Sequence, residues 1–261
     1  MAAGRAAERR RQTNASTTGF ADGQNQLVQI CVLGPLAVRT GSGVSAATVD
    51  VGGARLRTLL ILLALDPGRL VPAQRLIAGL WAGDPPAAAT GALQALVSRL
   101  RRTVPGLPVE FQAAGYRLAL PAEAVDAVRF ERLVADGREA LRCGEDAQAA
   151  KILRVAIELW RGPPLADVAD APFARAVIAR LEERRLAAVE GRIKADLRLG
   201  GGAELVPELA ELAAAHPLRE SVAASLMRAL CAAGRPGRGP GLTRRRLTEV
   251  VGRGSGRSSW Q

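Results

Sequence analysis

The stretch Ala92–Val104, ALQALVSRLRRTV, carries an apolar stripe and then sets Arg99, Arg101 and Arg102 close together. At 100° per residue Leu93, Val97, Leu100 and Val104 fall on one side of a helix, and Gln94, Ser98, Arg101 and Arg102 project from the other. One side reads as core and the other as a polar, basic edge. Charge runs of this kind commonly mark a solvated helix face and nothing more, so the flanking sequence has to decide.

Upstream, AGDPPAAAT supplies Asp84 as an N-cap and Pro85 at the first helical position, which predicts a helix over Pro85–Val104. Before it, Pro72–Trp81 reads as a second helix and Ala54–Leu65 as a first, closed by Asp66-Pro67-Gly68. The segment Leu27–Val51 is β-rich and broken by Gly34-Pro35 and Gly41-Ser42-Gly43, so it predicts three short strands of an antiparallel sheet. Downstream, LPVEFQ and GYRLAL flank Ala113-Ala114-Gly115 and predict a hairpin. Sheet, three helices and hairpin make a winged helix. Its helix-turn-helix sends the second helix of the pair into the major groove, where each base pair shows a different donor and acceptor pattern. Guanidinium groups there neutralise phosphates or pair bidentately with guanine. The candidate DNA-binding residues are therefore Gln94, Ser98, Arg99, Arg101, Arg102 and, on the hairpin, Arg117.

From Ala122 to Ala233 the chain becomes helix after helix, rich in Ala, Leu, Glu and Arg. Helices are predicted at Ala127–Arg142, Asp146–Trp160, Ala174–Leu199, Ala203–Ala214 and Leu218–Ala232. Antiparallel pairs of this size resemble tetratricopeptide repeats, which stack into grooves that hold other proteins. No helix carries a catalytic grouping. The expected fold class is thus mainly α with a small β component: an N-terminal winged helix followed by a helical repeat domain.

Charge divides the chain in the same place. Of 36 basic and 25 acidic residues, the balance is +2 over residues 1–52, +5 over 53–120, −2 over 121–234 and +6 over 235–261. A positive first half implies a polyanionic partner, and the slightly acidic second half argues against a nucleic-acid role for itself. Only Lys151 and Lys194 are lysines, a bias that also points to a GC-rich genome. Neither lysine sits in a phosphate-loop pattern. The longest strongly apolar run, Leu59–Leu65, is far short of the roughly 20 residues of a membrane-spanning helix. The N-terminus lacks the apolar segment of a secretory signal, so a cytoplasmic protein is expected. Cys31, Cys143 and Cys231 are odd in number and far apart, which suits neither a disulfide framework nor a metal site, and all three are expected to be buried. No cofactor, metal or membrane is expected.

The segments LVQICVLGPLAVRT, RLIAGLW, DPPAAATGALQALVSRLRR, GYRLAL, VDAVRFERLVADGREAL, AIELWRGPPLADV and HPLRESVAASLMRALCAAGR, in this order and spacing, resemble the Streptomyces antibiotic regulatory protein family. They cover residues 27–235 or thereabouts. The resemblance implies an OmpR-type winged helix followed by a bacterial transcriptional activation domain. It further implies an activator of secondary-metabolite gene clusters that binds direct repeats near promoters, self-associates on DNA and engages RNA polymerase. By the same resemblance the recognition helix is Pro85–Val104, its DNA-facing positions match Ser98, Arg99 and Arg101 with Gln94 nearby, and the wing matches Val109–Leu120. Leu96 stands where relatives often carry an aromatic residue, and Gly91 and Ala95 are small, so fewer side chains reach the bases.

The expected organisation is a disordered arm over residues 1–26, the winged helix over 27–120, the activation domain over 121–234 and a tail over 235–261. That tail, crowded with Gly, Pro and Arg and without helical period, departs from the family and reads as a truncation or a shifted frame. Apolar area is then expected to be exposed around Leu226 and Leu230. Other residues are assigned as follows: Tyr116 to wing packing or a phosphate contact, Arg55 and Arg57 to solvent or the DNA backbone, His216 to a turn, Trp81 and Trp160 to packing, and Glu182 to Arg185 to a mixed-charge face. Two alternatives stay open: a protein-interaction adaptor whose winged helix has lost DNA binding, and an inactive truncated regulator.

Overall fold

The computed structural model describes residues 28–41 and 47–234. The expected N-terminal arm, over 1–26, and the tail, over 235–261, lie outside these. Three short strands, β1 (Val28–Cys31), β2 (Ala37–Thr40) and β3 (Ala47–Val49), form an antiparallel sheet in that order. Helix α1 (Ala54–Ala64) follows, with Leu56 and the run Leu59–Ala64 all buried. A helix apolar on nearly every side has to sit at the centre of a domain, and α1 packs against α2 (Ala73–Trp81) and α3 (Ala89–Thr103).

Between α1 and α2 lies a strand that the sequence did not announce, β4 (Leu70–Pro72). It joins the hairpin strands β5 (Val109–Gln112) and β6 (Gly115–Leu118) in the order β4-β6-β5. Three residues are too few to show an alternating pattern, and β4 is defined by its pairing with β6 instead.

Helix α3 begins four residues later than its composition suggested, at Ala89, with no side-chain cap. Pro85 cannot open it because Pro86 follows, and the residue before a proline is driven out of the helical region. Asp84 instead closes a turn, donating its N–H to the Trp81 carbonyl at 3.0 Å.

The second half is all helix: α4 (Asp126–Cys143), α5 (Asp146–Glu158), α6 (Pro172–Arg198), α7 (Val206–Ala215) and α8 (Glu220–Ala232). α4, α5 and α6 pack in succession, and α6 runs on to support α8, which pairs with α7. Arginine–carboxylate pairs staple these helices. Arg219 of the α7–α8 turn reaches both Glu183 and Glu190 of α6, and Arg198 reaches Asp146. The mixed-charge face is therefore structural: Glu183 holds Arg219, Arg184 approaches Glu131, and Arg185 lies 4.8 Å above the Trp160 ring, which itself meets Phe130 edge-on.

The two halves share one hydrophobic core, which runs without a break from Val28 through α1 and α3 to Phe130, Leu153 and Ala188. Backbone bonds stitch the join. Asp126, the first residue of α4 and 8% exposed, accepts the N–H groups of Val32 at 2.7 Å and Leu33 at 3.1 Å. The α5–α6 loop returns two bonds, Arg161 N–H to the Leu33 carbonyl and Leu165 N–H to the Val32 carbonyl, at 2.8 and 2.9 Å. Asp167 accepts from the Leu36 N–H at 2.6 Å and pairs with Arg57 at 3.3 Å. Gly34 sits so close that a Cβ there would lie 3.0 Å from the Arg161 Cβ, with φ at +147° besides. VLGPL and RGPPLADV are thus two sides of one contact.

Three expectations need correction. Cys31 is buried, but Cys143 and Cys231 are exposed, because both lie at the solvent side of a helix end. Leu226 and Leu230 are half-buried, since Leu226 packs on the small core formed with α6 and α7. The exposed apolar side chains at that end are Leu218, in the turn before α8, and Met227. Arg57 does not face solvent alone, because Asp167 pairs with it at the join at 3.3 Å. Tyr116 is buried and meets Phe111 edge-on at 5.3 Å, so its ring packs the wing. His216 closes α7 through its own N–H to the Leu212 carbonyl.

Candidate nucleic-acid interface

Leu93, Val97 and Leu100 of α3 are buried, and Gly91, Gln94, Ala95, Ser98, Arg99, Arg101 and Arg102 are exposed. The period that identified the helix also sorts its faces. Gly91, Ala95, Ser98 and Arg102 form the outward ridge, small along its first turns and cationic at its end, with Gln94 and Arg101 on one flank and Arg99 on the other. Arg99 and Arg102 have no carboxylate within 4.0 Å among the described residues.

Arg101 is committed elsewhere. Its Nε and one terminal nitrogen donate to the Val109 carbonyl at 3.0 and 2.6 Å. The reason lies in the strand order. β5 is an edge strand, and Ala119 N–H donates to the Pro108 carbonyl at 2.8 Å, so one residue on the Val109 carbonyl must point away from β6. Arg101 satisfies that orphan and fastens the wing to the last turn of α3. Two of its five N–H groups are used and the others stay available.

Replacing Arg101 by alanine should therefore loosen the hairpin by about 1.5–2 kcal/mol, the scale of hydrogen bonds to a charged group. Amide exchange in β5 and β6 should then speed up by roughly tenfold or more, with α1 unaffected. An unchanged hairpin would mean that the contact carries no load.

Arg117 pairs with Glu110, its cross-strand neighbour, at 2.7 Å. A carboxylate that is 44% exposed competes only weakly, and a phosphate could take the guanidinium from it. Counting outward from the two-residue turn Ala113-Ala114 puts residues 110 and 117 opposite each other, so this pair could have been found in the sequence.

Two side chains were missed. Arg69 is exposed in the turn just before β4, one residue from Leu70, which pairs with Arg117 of the wing. Phe111, 60% exposed on β5, continues the row Val71-Tyr116 past the rim of the core. The signal for Phe111 was present in LPVEFQ, where the aromatic ring stands one residue from the turn.

Among the described residues no group of three or more His, Cys, Asp or Glu could hold a metal ion, and no helix is long and apolar enough to cross a membrane.

Residues 125–239 match the model of the bacterial transcriptional activator domain. The chain is 37% identical over 222 residues to regulatory protein DnrI of Streptomyces peucetius, covering 80% of this chain and 79% of that protein. It is 36% identical to transcriptional regulator RedD of Streptomyces coelicolor, covering 66% of it, and 39% identical to regulatory protein AfsR of the same species, covering 22% of it. Among solved structures, Mycobacterium tuberculosis EmbR in complex with a low-affinity phosphopeptide superposes with a TM-score of 0.81 at 27% identity, over 89% of this chain and 62% of that one.

Proposed function

Because the chain belongs to the Streptomyces antibiotic regulatory protein family of transcriptional activators, we propose that it activates a secondary-metabolite gene cluster by docking α3 in the major groove of promoter direct repeats. The observation that carries this is the outward side of α3, where Arg102 at the end of the ridge and Arg99 on its flank have no carboxylate partners among the described residues, beside a wing that Arg101 holds in place. Arg99, Arg102 and Arg69 take phosphates or guanine. Gln94 and Ser98 set base preference, and Arg117 exchanges Glu110 for a phosphate. Winged helices sit side by side on the repeats, residues 121–234 meet RNA polymerase, and the place of work is the nucleoid.

A salt series tests the reading. Log affinity for promoter DNA should fall linearly with log salt, and Arg99→Ala/Arg102→Ala should flatten the slope by about 1.8 and weaken binding by roughly thirtyfold near 0.15 M salt. Arg101→Ala should leave the slope nearly unchanged, because its role is in the wing. Equal affinity for cluster promoters and random duplexes, with no slope, would favour the adaptor reading instead.

A further inference from the structure

On the outer side of the join, away from α3, a cleft of about 210 Å³ lies between the N-terminal sheet and the start of the helical half. Gln29 and Cys31 of β1 and Arg39 of β2 form one wall, and Arg129 of α4 with Glu158 at the end of α5 and Arg161 of the α5–α6 loop form the other. Three arginines thus line it.

Their partners are mostly spoken for. Glu123, also in the lining, is held by Arg132 at 2.6 Å. Asp126 is held by the Val32 and Leu33 N–H groups and meets Arg161 only at 3.8 Å, beyond hydrogen-bond distance. Arg39 and Arg129 have no carboxylate within 4.0 Å among the described residues, and Glu158 has no cation. The cleft thus has more free positive than free negative charge. Burial and then the Asp126 carboxylate raise the Cys31 thiol above its ordinary value, while Arg161 and Arg39 pull it down. Both guanidiniums are therefore within electrostatic reach of the same buried floor.

We propose that this cleft is a binding site for a small dianion, a phosphate or dicarboxylate group, held between Arg39 and Arg129 and completed by Arg161. Planar guanidinium forks suit both anions bidentately. On the same wall as Arg39, the exposed Gln29 amide and the buried Cys31 thiol are further donors. The volume lies below the roughly 300–1,000 Å³ of pockets for drug-sized molecules, so the ligand is a small anion and no nucleotide. Its position is regulatory in kind. One anion joins β2 of the winged helix to α4 and the α5 terminus, and so strengthens the contact that fixes α3 relative to the helical surface.

The test uses the full chain. Calorimetric melting is compared in inorganic phosphate, glycerol phosphate, succinate and chloride at equal ionic strength. At a hundredfold excess over Kd, binding to the folded state alone should raise Tm by about 5 °C or more over chloride. The arms separate a phosphate from a carboxylate preference. The shift should vanish in Arg39→Gln/Arg129→Gln, two exposed positions where glutamine keeps part of the stem, and should persist in Arg99→Ala/Arg102→Ala, which removes anion sites on the DNA-facing ridge. No shift with any of the three anions, or a shift that survives the Arg39/Arg129 variant, would overturn the proposal. Should the glutamine pair melt early in chloride, Arg129→Lys alone is the substitute: it keeps the charge, loses the fork, and should weaken binding roughly tenfold in a titration.

Discussion

Asp126→Ala should lower the unfolding free energy by about 3 kcal/mol, because it leaves two buried N–H groups without an acceptor at roughly 1–3 kcal/mol each. The groups belong to Val32 and Leu33, whose side chains are wholly buried, and Asp126 is itself only 8% exposed, at the edge of the cleft between the N-terminal sheet and the helical half. Asp126→Asn should cost about half as much, since its carbonyl oxygen accepts one of the two while its amide group faces the other donor. Urea unfolding checks this: the midpoint should fall with the slope unchanged.

The pH dependence has a definite sign. Burial pushes the Asp126 carboxyl above its ordinary value, against the opposing pull of the Val32 and Leu33 N–H groups and of Arg161. A carboxyl raised in the folded state binds its proton more tightly there than in the unfolded chain. Its contribution is therefore greatest below the ordinary carboxylate value and declines as pH rises through the raised one. Asp126→Asn should remove that decline. If the alanine variant unfolds at the wild-type midpoint, the contact does not hold the two halves together.

This contact was not legible in the sequence, and the reason is distance along the chain. The two N–H donors lie more than ninety residues before their acceptor, and nothing local to VLGPL or VDAVRF announces the pairing. What was legible was local. The run LLILLA lies in a segment that reads as a helix, and the period of ALQALVSRLRRTV sorts its buried and exposed residues. The three arginines of that helix stand close together in the sequence, yet only Arg101 carries a hydrogen bond to the wing. Arg101 differs through the register of β5 on β6, which turns the Val109 carbonyl outward from an edge strand, and the reach from the last turn of α3 to that carbonyl is a tertiary contact with no local pattern. The late start of α3 is legible in the sequence, since Pro86 forbids what Pro85 invites. The shared core likewise escapes composition, because the change of charge near residue 121 marks a change of surface while the apolar interior continues beneath it.

Gly115→Ala should destabilise the chain by about 3 kcal/mol or more, at the upper end of what overpacking costs. The cause is proximity, since Gly115 has no positive φ. It lies opposite Pro72 where β6 meets β4, and a Cβ there would stand 2.3 Å from the Val71 carbonyl oxygen, 2.9 Å from its carbon and 3.0 Å from the Pro72 Cα. All three are backbone atoms, so no side chain can turn aside and β4 must move. The strand is anchored at both ends, by Gly68 N–H to the Leu118 carbonyl at 2.8 Å and by Ala73 N–H to the Ala114 carbonyl at 2.9 Å. The second of these is also the entry to α2, so displacing β4 disturbs the helix that supports α3. Two residues earlier the preference reverses. Ala113 occupies the left-handed region at φ +48°, where an L-residue costs roughly 1–2 kcal/mol, and Ala113→Gly should recover about half a kcal/mol to one once the added chain entropy is subtracted. Opposite shifts from the same pair of residue types at positions 113 and 115, seen in urea midpoints, would establish that the wing is set by backbone approach at one and by backbone conformation at the other. A tolerated Gly115→Ala would show that β4 is not bound to the wing and would remove the basis for the placement of Arg69 beside it.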